Sequence, residues 1–546
     1  MARRFSPTGG AARSGAVLAV WAVLALLCML RLPALVQPMG PDQGIYAYVG
    51  QRILAGDIPY RDAWDHKPPG LHYAYAAMWS VWPSEAVVPL ADLACSAAAA
   101  LMLLLIAPHW TGSRSAGPVA AALLLFLGNP AFSRLGGVRI RAQGEVFIAA
   151  LVTAAVYAAI RGTSHGDSRR YHRAWPLILA GGLVGAACLV KYQAAVYLAV
   201  VWAVIVLRPT VEEGPRQPTR TRVLSMAWPV VGFVVPVITM LAVFAIGGAL
   251  RDLWVVTVEY NLRYSGETFA GPWAFLRYLV SMPVRHARVD GLWLLGGAGS
   301  LVLLWQTVRH PRQALPLVWI GAAVMAIAVN GSRGLPQYFI QASPALALAA
   351  GLAGSTLWSR WSRAGRVVML ATIVVAVWRV VSFPQAVEAV RWDLARMVGR
   401  IDRVEYLSRF GGRPGDKFSA VEVWRLGERL RAATRPADAV YVYGFSPAAY
   451  VYSGRRCASR MFYPAPVVSD FGRDRPGYGP GGLLADLLRN RPAVVALQRS
   501  DAGPDRTDSR EWFLAQPGLA AWLRAQYEPA PSLDRYELWV RRPVTE

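Results

Sequence analysis

Eleven apolar stretches constrain this chain more than any other feature. A helix rises about 1.5 Å per residue and crosses a bilayer in about 20 apolar residues. The stretches lie near 17–36, 87–107, 117–133, 143–160, 175–189, 193–207, 228–246, 291–308, 314–329, 336–357 and 367–383. The fifth and sixth are short and nearly continuous, which predicts a tight hairpin at Lys191. The first is too long for a cleaved signal peptide, and no small-residue cleavage site follows it. Composition agrees, with 55% hydrophobic and only 16% charged residues. That excludes disorder, and 4 Cys exclude a disulfide scaffold.

The formal charge of +24 would suit a nucleic-acid binder. Topology accounts for it better. With the N-terminus inside, the cytoplasmic loops hold 17 basic residues against 3 acidic, and the outer membrane segments 14 against 11. An odd number of spans then leaves the C-terminus outside. The expected fold is an α-helical polytopic membrane protein of about 11 transmembrane helices over residues 1–383. A C-terminal α/β extracytoplasmic domain is expected over 384–546. There Gln385–Arg409 reads as an amphipathic helix leading off the membrane. Val421–Thr434, Leu483–Asn490 and Gly518–Ala525 read as helices, and Ala439–Tyr443, Ala493–Leu497 and Tyr536–Val540 as strands. Arg455, Arg456 and Arg460 read as a solvated face.

The loop between the first two spans, 37–86, is the informative segment. Within it Asp42, Asp57, Asp62, Asp65, His66 and Lys67 put four acids, one His and one Lys into 26 residues. Tyr46, Tyr48, Ile53 and Leu54 alternate with polar residues as on an interfacial helix. Asp57 and Asp62 suit a solvated loop. Ionisable groups at the bilayer edge, such as Asp42 and Lys67, are costly to hold there and are usually functional. The basic residues are 54 Arg and only 3 Lys: Lys67, Lys191 and Lys417. Two of the three thus fall in outer segments.

This loop resembles the first outer loop of the C-type superfamily of membrane glycosyltransferases. The nearest branch holds the dolichyl-phosphate-mannose protein mannosyltransferases and the lipid A aminoarabinose transferases. In that branch an Asp-Glu pair follows the first span and Lys-Pro-Pro closes the loop. Here Asp42-Gln43 and Lys67-Pro68-Pro69 stand in those places. Gln43 replaces the second acid, and His66 stands where aminoarabinose transferases have Glu. The resemblance implies transfer of a sugar from a polyprenyl phosphate to a lipid, glycan or protein acceptor, with inversion, at the outer face of a bacterial plasma membrane.

The resemblance makes Asp42 the general base, and a base in hydrogen-bond reach of an acceptor hydroxyl gives typically about 10²–10⁴-fold. The leaving group is an anionic phosphate, so cations at the bilayer edge stabilise it. Lys67, Lys191, Arg333, Arg139 and Arg141 are the candidates for donor-phosphate binding. Gln43, Asp65, His66, Glu145 and Tyr338 are candidates for positioning substrate. Metal use stays open: Asp42, His66 and Glu145 could hold a divalent cation, but no metal-ligand spacing is present. Asp42, Lys67, Glu145 and Arg333 are expected to converge on one cavity. Two other readings stand beside transfer: a non-catalytic binder of polyprenyl phosphate, and a transporter or flippase. The latter would concentrate charge near the bilayer midplane, whereas here the acids cluster at one face.

Overall fold

A computed structural model describes residues 8–133, 137–163, 174–207, 219–266, 269–331, 333–413, 416–473, 475–501 and 507–543. Arg134 lies outside the described residues. So do the loop residues Arg3, Arg4, Asp167, Arg169, Arg170, Arg173, Arg208, Glu212, Glu213 and Arg216.

The chain is an α-helical multi-pass membrane protein with a small C-terminal sheet domain. Its helices are α1 (Thr8–Met29), α2 (Pro41–Leu54), α3 (Pro69–Val81), α4 (Val87–Thr111), α5 (Ala116–Leu127), α6 (Gly144–Thr163) and α7 (Ala174–Val190). Then come α8 (Leu198–Val206), α9 (Thr219–Ile246), α10 (Leu250–Trp254), α11 (Tyr260–Gly266), α12 (Pro272–Ala287), α13 (Gly291–Thr307) and α14 (Ala314–Val329). The last of the membrane part are α15 (Ser343–Arg360), α16 (Arg363–Val380) and α17 (Phe383–Met397). Among the described residues six helical segments are long and apolar enough to cross a bilayer, or eight if each of two bent pairs counts as one span. The pairs are α12 with α13, bent by 116°, and α16 with α17, bent by 69°. Three of the eleven hydropathic stretches are shorter apolar helices: α5, α7 and the segment Tyr192–Val206.

Local chemistry sets where these helices break. Pro41 and Pro69 occupy the first turns of α2 and α3, where their missing N–H costs nothing. Pro68 forces an extended approach to α3. Lys191 is itself extended, at φ −152° and ψ 127°, and separates α7 from the short helix Tyr192–Tyr197. α2 is not the half-exposed interfacial helix that its alternation suggested. Residues 43–50 are all buried, because α2 is covered on both sides. A Cβ at Gly50 would stand 2.9 Å from the backbone nitrogen of Ala76 in α3. One at Gly44 would stand 2.8 Å from the nitrogen of Ala448 in the sheet domain.

The amphipathic helix expected over 385–409 is broken: α17 ends at Met397 and a short helix, α18, follows at Arg403–Leu407. Gly399, at φ 75°, makes the turn between them. Beyond the helix α19 (Ala420–Ala433), five strands form one sheet: β1 (Ala439–Tyr443), β2 (Arg456–Cys457), β3 (Val494–Gln498), β4 (Tyr527–Leu533) and β5 (Tyr536–Arg541). The order is β2-β1-β3-β5-β4. β1 is parallel to β2 and β3, with Val440 opposite Val494, and β5 runs antiparallel to β3 and β4. The all-apolar run of β1 places it centrally, and the prolines of β4 confine it to an edge.

This domain grips the loop 37–86. The backbone N–H of Trp64 donates to the carbonyl of Arg460 at 2.9 Å. That of Cys457 donates to the Tyr48 hydroxyl at 2.8 Å. Glu85 pairs with Arg403 at 2.8 Å and accepts from the Tyr452 hydroxyl at 2.7 Å. Arg455 is not on a solvated face: it is buried and donates to the carbonyls of Arg431, Ser453 and Thr434.

Candidate active site

Two of the three lysines meet at one end of the bundle. Lys67 and Lys191 line a pocket of about 220 Å³ with Tyr192, Asn261, Asn330 and Tyr338. Each wall has a local cause. Lys67 hangs from the Pro-Pro turn, and the Tyr60 hydroxyl fixes its carbonyl at 2.8 Å. A π-helical turn at Val255–Glu259 brings Thr257 and Asn261 to the pocket; such turns recur at functional sites. Thr257 shares a hydrogen bond with the Tyr192 hydroxyl at 2.6 Å. Asn261 donates to the carbonyl of His66 at 2.7 Å.

Lys191 is paired. Its Nζ donates to Glu145 Oε1 at 2.5 Å and lies 4.6 Å from the centre of the Tyr338 ring. Glu145 is fully buried in the first turn of α6, where the helix dipole favours an acid. Its second oxygen, Oε2, has no hydrogen-bond partner among the described residues. Gly144 packs closely here: a Cβ there would stand 3.1 Å from Val190 Cγ1.

Lys67 has no carboxylate within ion-pair distance among the described residues. Its Nζ is 3.1 Å from His66 Nε2. His66 Nδ1 lies 3.4 Å from Asp65 Oδ1, which also accepts from the Tyr463 hydroxyl at 3.0 Å. The other Asp65 oxygen faces His72 Nε2 at 3.3 Å. With the ammonium donating to Nε2, His66 is a neutral imidazole whose Nδ1–H points at Asp65. Burial, and next the charge of Lys191, hold Lys67 below the usual lysine range. Burial followed by Lys67 does the same to His66. Burial works against ionised Asp65, but His66, His72 and Lys67 outweigh it and hold the carboxyl down at about 2. Burial pushes His72 down to about 4.

Asp42 sits in the first turn of α2, partly exposed. Gln143 donates to its Oδ2 at 3.1 Å and to the Arg139 carbonyl at 2.9 Å. Asp42, Asp65 and Glu145 all act electrostatically on Lys67 and on Tyr46, so the three acids surround one place. Gln43 is buried and its amide donates to the Arg141 carbonyl at 2.7 Å. An ionised acid could not donate that bond, so the departure from the Asp-Glu pair ties α2 to the loop before α6.

The arginines divide. Arg333 is exposed on the turn leading to Tyr338 and acts electrostatically on Tyr338 and Tyr260 at the pocket side. Arg139 is exposed and lends its carbonyl to Gln143. Arg141 points away from the pocket into a second buried cluster. There Asp92 pairs with Arg31 at 2.6 Å and with Arg141 at 3.5 Å. Arg141 Nε donates to Gln37 at 2.6 Å, and Gln37 and Tyr406 both donate to Asp393, at 2.8 and 2.6 Å.

Among the described residues no three His, Cys, Asp or Glu side chains group as cation ligands. Lys191 occupies one Glu145 oxygen, Gln143 one Asp42 oxygen, and His66 lies between Asp65 and Lys67. Asp42, His66 and Glu145 therefore do not fit a divalent cation as one donor set.

No protein-family model and no curated protein sequence matches the chain. Solved structures do. ArnT from Cupriavidus metallidurans bound to undecaprenyl phosphate superposes with a TM-score of 0.61 at 18% identity, over 97% of this chain and 99% of that one. Its apo state gives 0.58 at 17%, over 97% and 98%. The Archaeoglobus fulgidus oligosaccharyltransferase in complex with Zn and sulfate gives 0.50 at 12%, over 87% of this chain and 68% of that one. The chain thus has the C-type membrane glycosyltransferase fold that its first loop implied.

Proposed function

We propose that the chain transfers a glycosyl group from a polyprenyl-phosphate donor to an acceptor at the membrane face occupied by the sheet domain. One observation carries this reading. Lysines from segments more than a hundred residues apart meet in one pocket beside the acids of α2 and α6. ArnT, which shares the fold, binds undecaprenyl phosphate.

Lys67 and Lys191 hold the donor phosphate, with Tyr338 and Arg333 at the margin. Asp65 and His66 position Lys67, and Glu145 positions Lys191. Asp42 takes the proton from the acceptor hydroxyl as its oxygen bonds to the anomeric carbon. The bond from that carbon to the phosphate oxygen breaks, and its electron pair stays on the lipid phosphate. The two ammonium groups stabilise that charge where it forms. One carboxylate acting once inverts the anomeric centre. The phosphate charge is met by the two lysines. The excess of basic over acidic residues in the loops assigned to the N-terminal side supports an N-terminus in the cytoplasm and a sheet domain outside, in a bacterial plasma membrane.

The test is Asp42→Asn in the full chain. Transfer to outer-face glycans or glycolipids, read by mass spectrometry against a deletion strain, is expected to fall by about 10²–10⁴. Binding of undecaprenyl phosphate is expected to persist. Full transfer by the variant would overturn the role of Asp42. An intact transfer-free wild type that still binds the lipid would favour a non-catalytic binder.

A further inference from the structure

α12 does not run with the bundle. It crosses the end of the bundle at 116° to α13, and it has two apolar faces. One packs inward: Tyr278 and Met282 are buried, and the His286 ring stacks on Phe339 at 3.5 Å and 4°. The other is bare, with Trp273 81% exposed, Val280 69%, Val284 60% and Leu276 44%. At 100° per residue these four form one stripe. Arg277, Arg285 and Arg288 flank it, all exposed, with the Arg285 guanidinium 5.5 Å from the Tyr278 ring.

Residues 272–289 contain no acid. The nearest, Asp290, caps the first N–H groups of α13 and faces His286 at 3.6 Å. α17 offers a control within the same molecule. It also leaves the bundle at an angle and exposes Val387 and Leu394, but its exposed face carries Glu388 beside Arg391.

We propose that α12 lies in the membrane interface and docks the protein onto anionic lipid headgroups. The bare stripe enters the acyl boundary while the three arginines reach lipid phosphates. This surface is separate from the donor pocket, although it backs Phe339, the neighbour of Tyr338. The occupant is an anionic bilayer surface because three arginines with no ion-pair partner among the described residues border the stripe. A neutral lipid or a second copy of this chain leaves those charges unmatched.

The test uses the full chain in nanodiscs of phosphatidylcholine with or without phosphatidylglycerol. Native mass spectrometry is expected to find phosphatidylglycerol retained over phosphatidylcholine. The preference is expected to fall about fivefold for each arginine removed in the Arg277→Gln, Arg285→Gln, Arg288→Gln series. An unchanged preference in the triple variant would overturn the proposal. A nitroxide at Val280→Cys, in a background without the four native cysteines, is expected to meet oxygen more readily than a water-soluble nickel chelate. The reverse order, or dipolar coupling between labels on two copies, would also overturn it. If that background does not fold, the lipid measurement on the arginine variants decides alone.

Discussion

Two buried charge clusters stand at the same end of the bundle, and they are built differently. In the first, Asp92 joins Arg31 and Arg141, and Gln37, Asp393 and Tyr406 extend the chain of bonds toward the sheet domain. Both oxygens of Asp92 are engaged, the second by the Ala142 N–H at 3.2 Å, while Nε and Nη1 of Arg31 have no hydrogen-bond partner among the described residues. In the second, Lys67 has only a histidine beside it, Lys191 has one carboxylate oxygen, and Glu145 Oε2 is unmatched. The second cluster opens on a pocket. The first cluster, whose acids Asp92 and Asp393 are engaged at both oxygens, fixes chain segments relative to one another. The second keeps an ammonium and a carboxylate oxygen unmatched beside a pocket that a ligand can enter.

That contrast can be broken by substitution. The largest expected effect belongs to the Asp92 cluster. Asp92→Ala strands two arginines in a buried site and is expected to cost about 3–5 kcal/mol, read as a lower thermal midpoint. An unchanged midpoint would mean that water already reaches the cluster. Lys67→Gln is the opposite case. It relieves the repulsion from Lys191 and is expected to leave the midpoint nearly unchanged. Affinity for undecaprenyl phosphate is expected to fall about 10–100-fold, the worth of a hydrogen bond to a charged group. Lys191→Gln lowers both quantities, because Glu145 is left buried and alone. Adding Glu145→Gln restores the midpoint without restoring affinity.

The last effect is on pH dependence, and it is spread over several pH units. His72 is fully buried and its folded-state value of about 4 lies below the ordinary 6.5. Between those values the unfolded chain takes up a proton that the folded chain refuses. The stability is whole above about pH 6.5 and is lost as pH falls toward 4, by up to about 3 kcal/mol. Asp65 adds its own loss only below pH 3.8, as the solution approaches about 2. His72→Asn is expected to shrink the upper window, to which His66 also contributes, and to narrow the lower one by removing a positive neighbour of Asp65. A midpoint that is flat from pH 7 to 4 in the parent would contradict a buried neutral His72.

Much of this was legible in the sequence, because membrane spans and loop motifs are local. Hydropathy located the helices, and short apolar runs bounded by turn residues located β1, β3 and β5 to within a residue or two. Lys67-Pro68-Pro69 and Asp42 stood out because charge is rare in this chain. What the sequence hid was partnership. Arg31 lies within an apolar stretch and meets Asp92, 61 positions away; two lone opposite charges in separate spans were the available signal. Arg141 looked like Arg139, yet one is buried and one exposed. Tyr463 belongs to the sheet domain and carries no motif, so its bond to Asp65 depends on the docking of that domain. β2 escaped because it is only two residues long, and β4 because its prolines interrupt any apolar run.

The central claim is that the Lys67–Lys191 pocket holds a lipid phosphate. A cryo-EM structure of the full chain in nanodiscs with undecaprenyl phosphate tests it most directly. The account predicts phosphate density within hydrogen-bond distance of both Lys67 Nζ and Lys191 Nζ, with the polyprenyl tail leaving toward the membrane. Phosphate density bound elsewhere, with the pocket between those lysines empty, would contradict it.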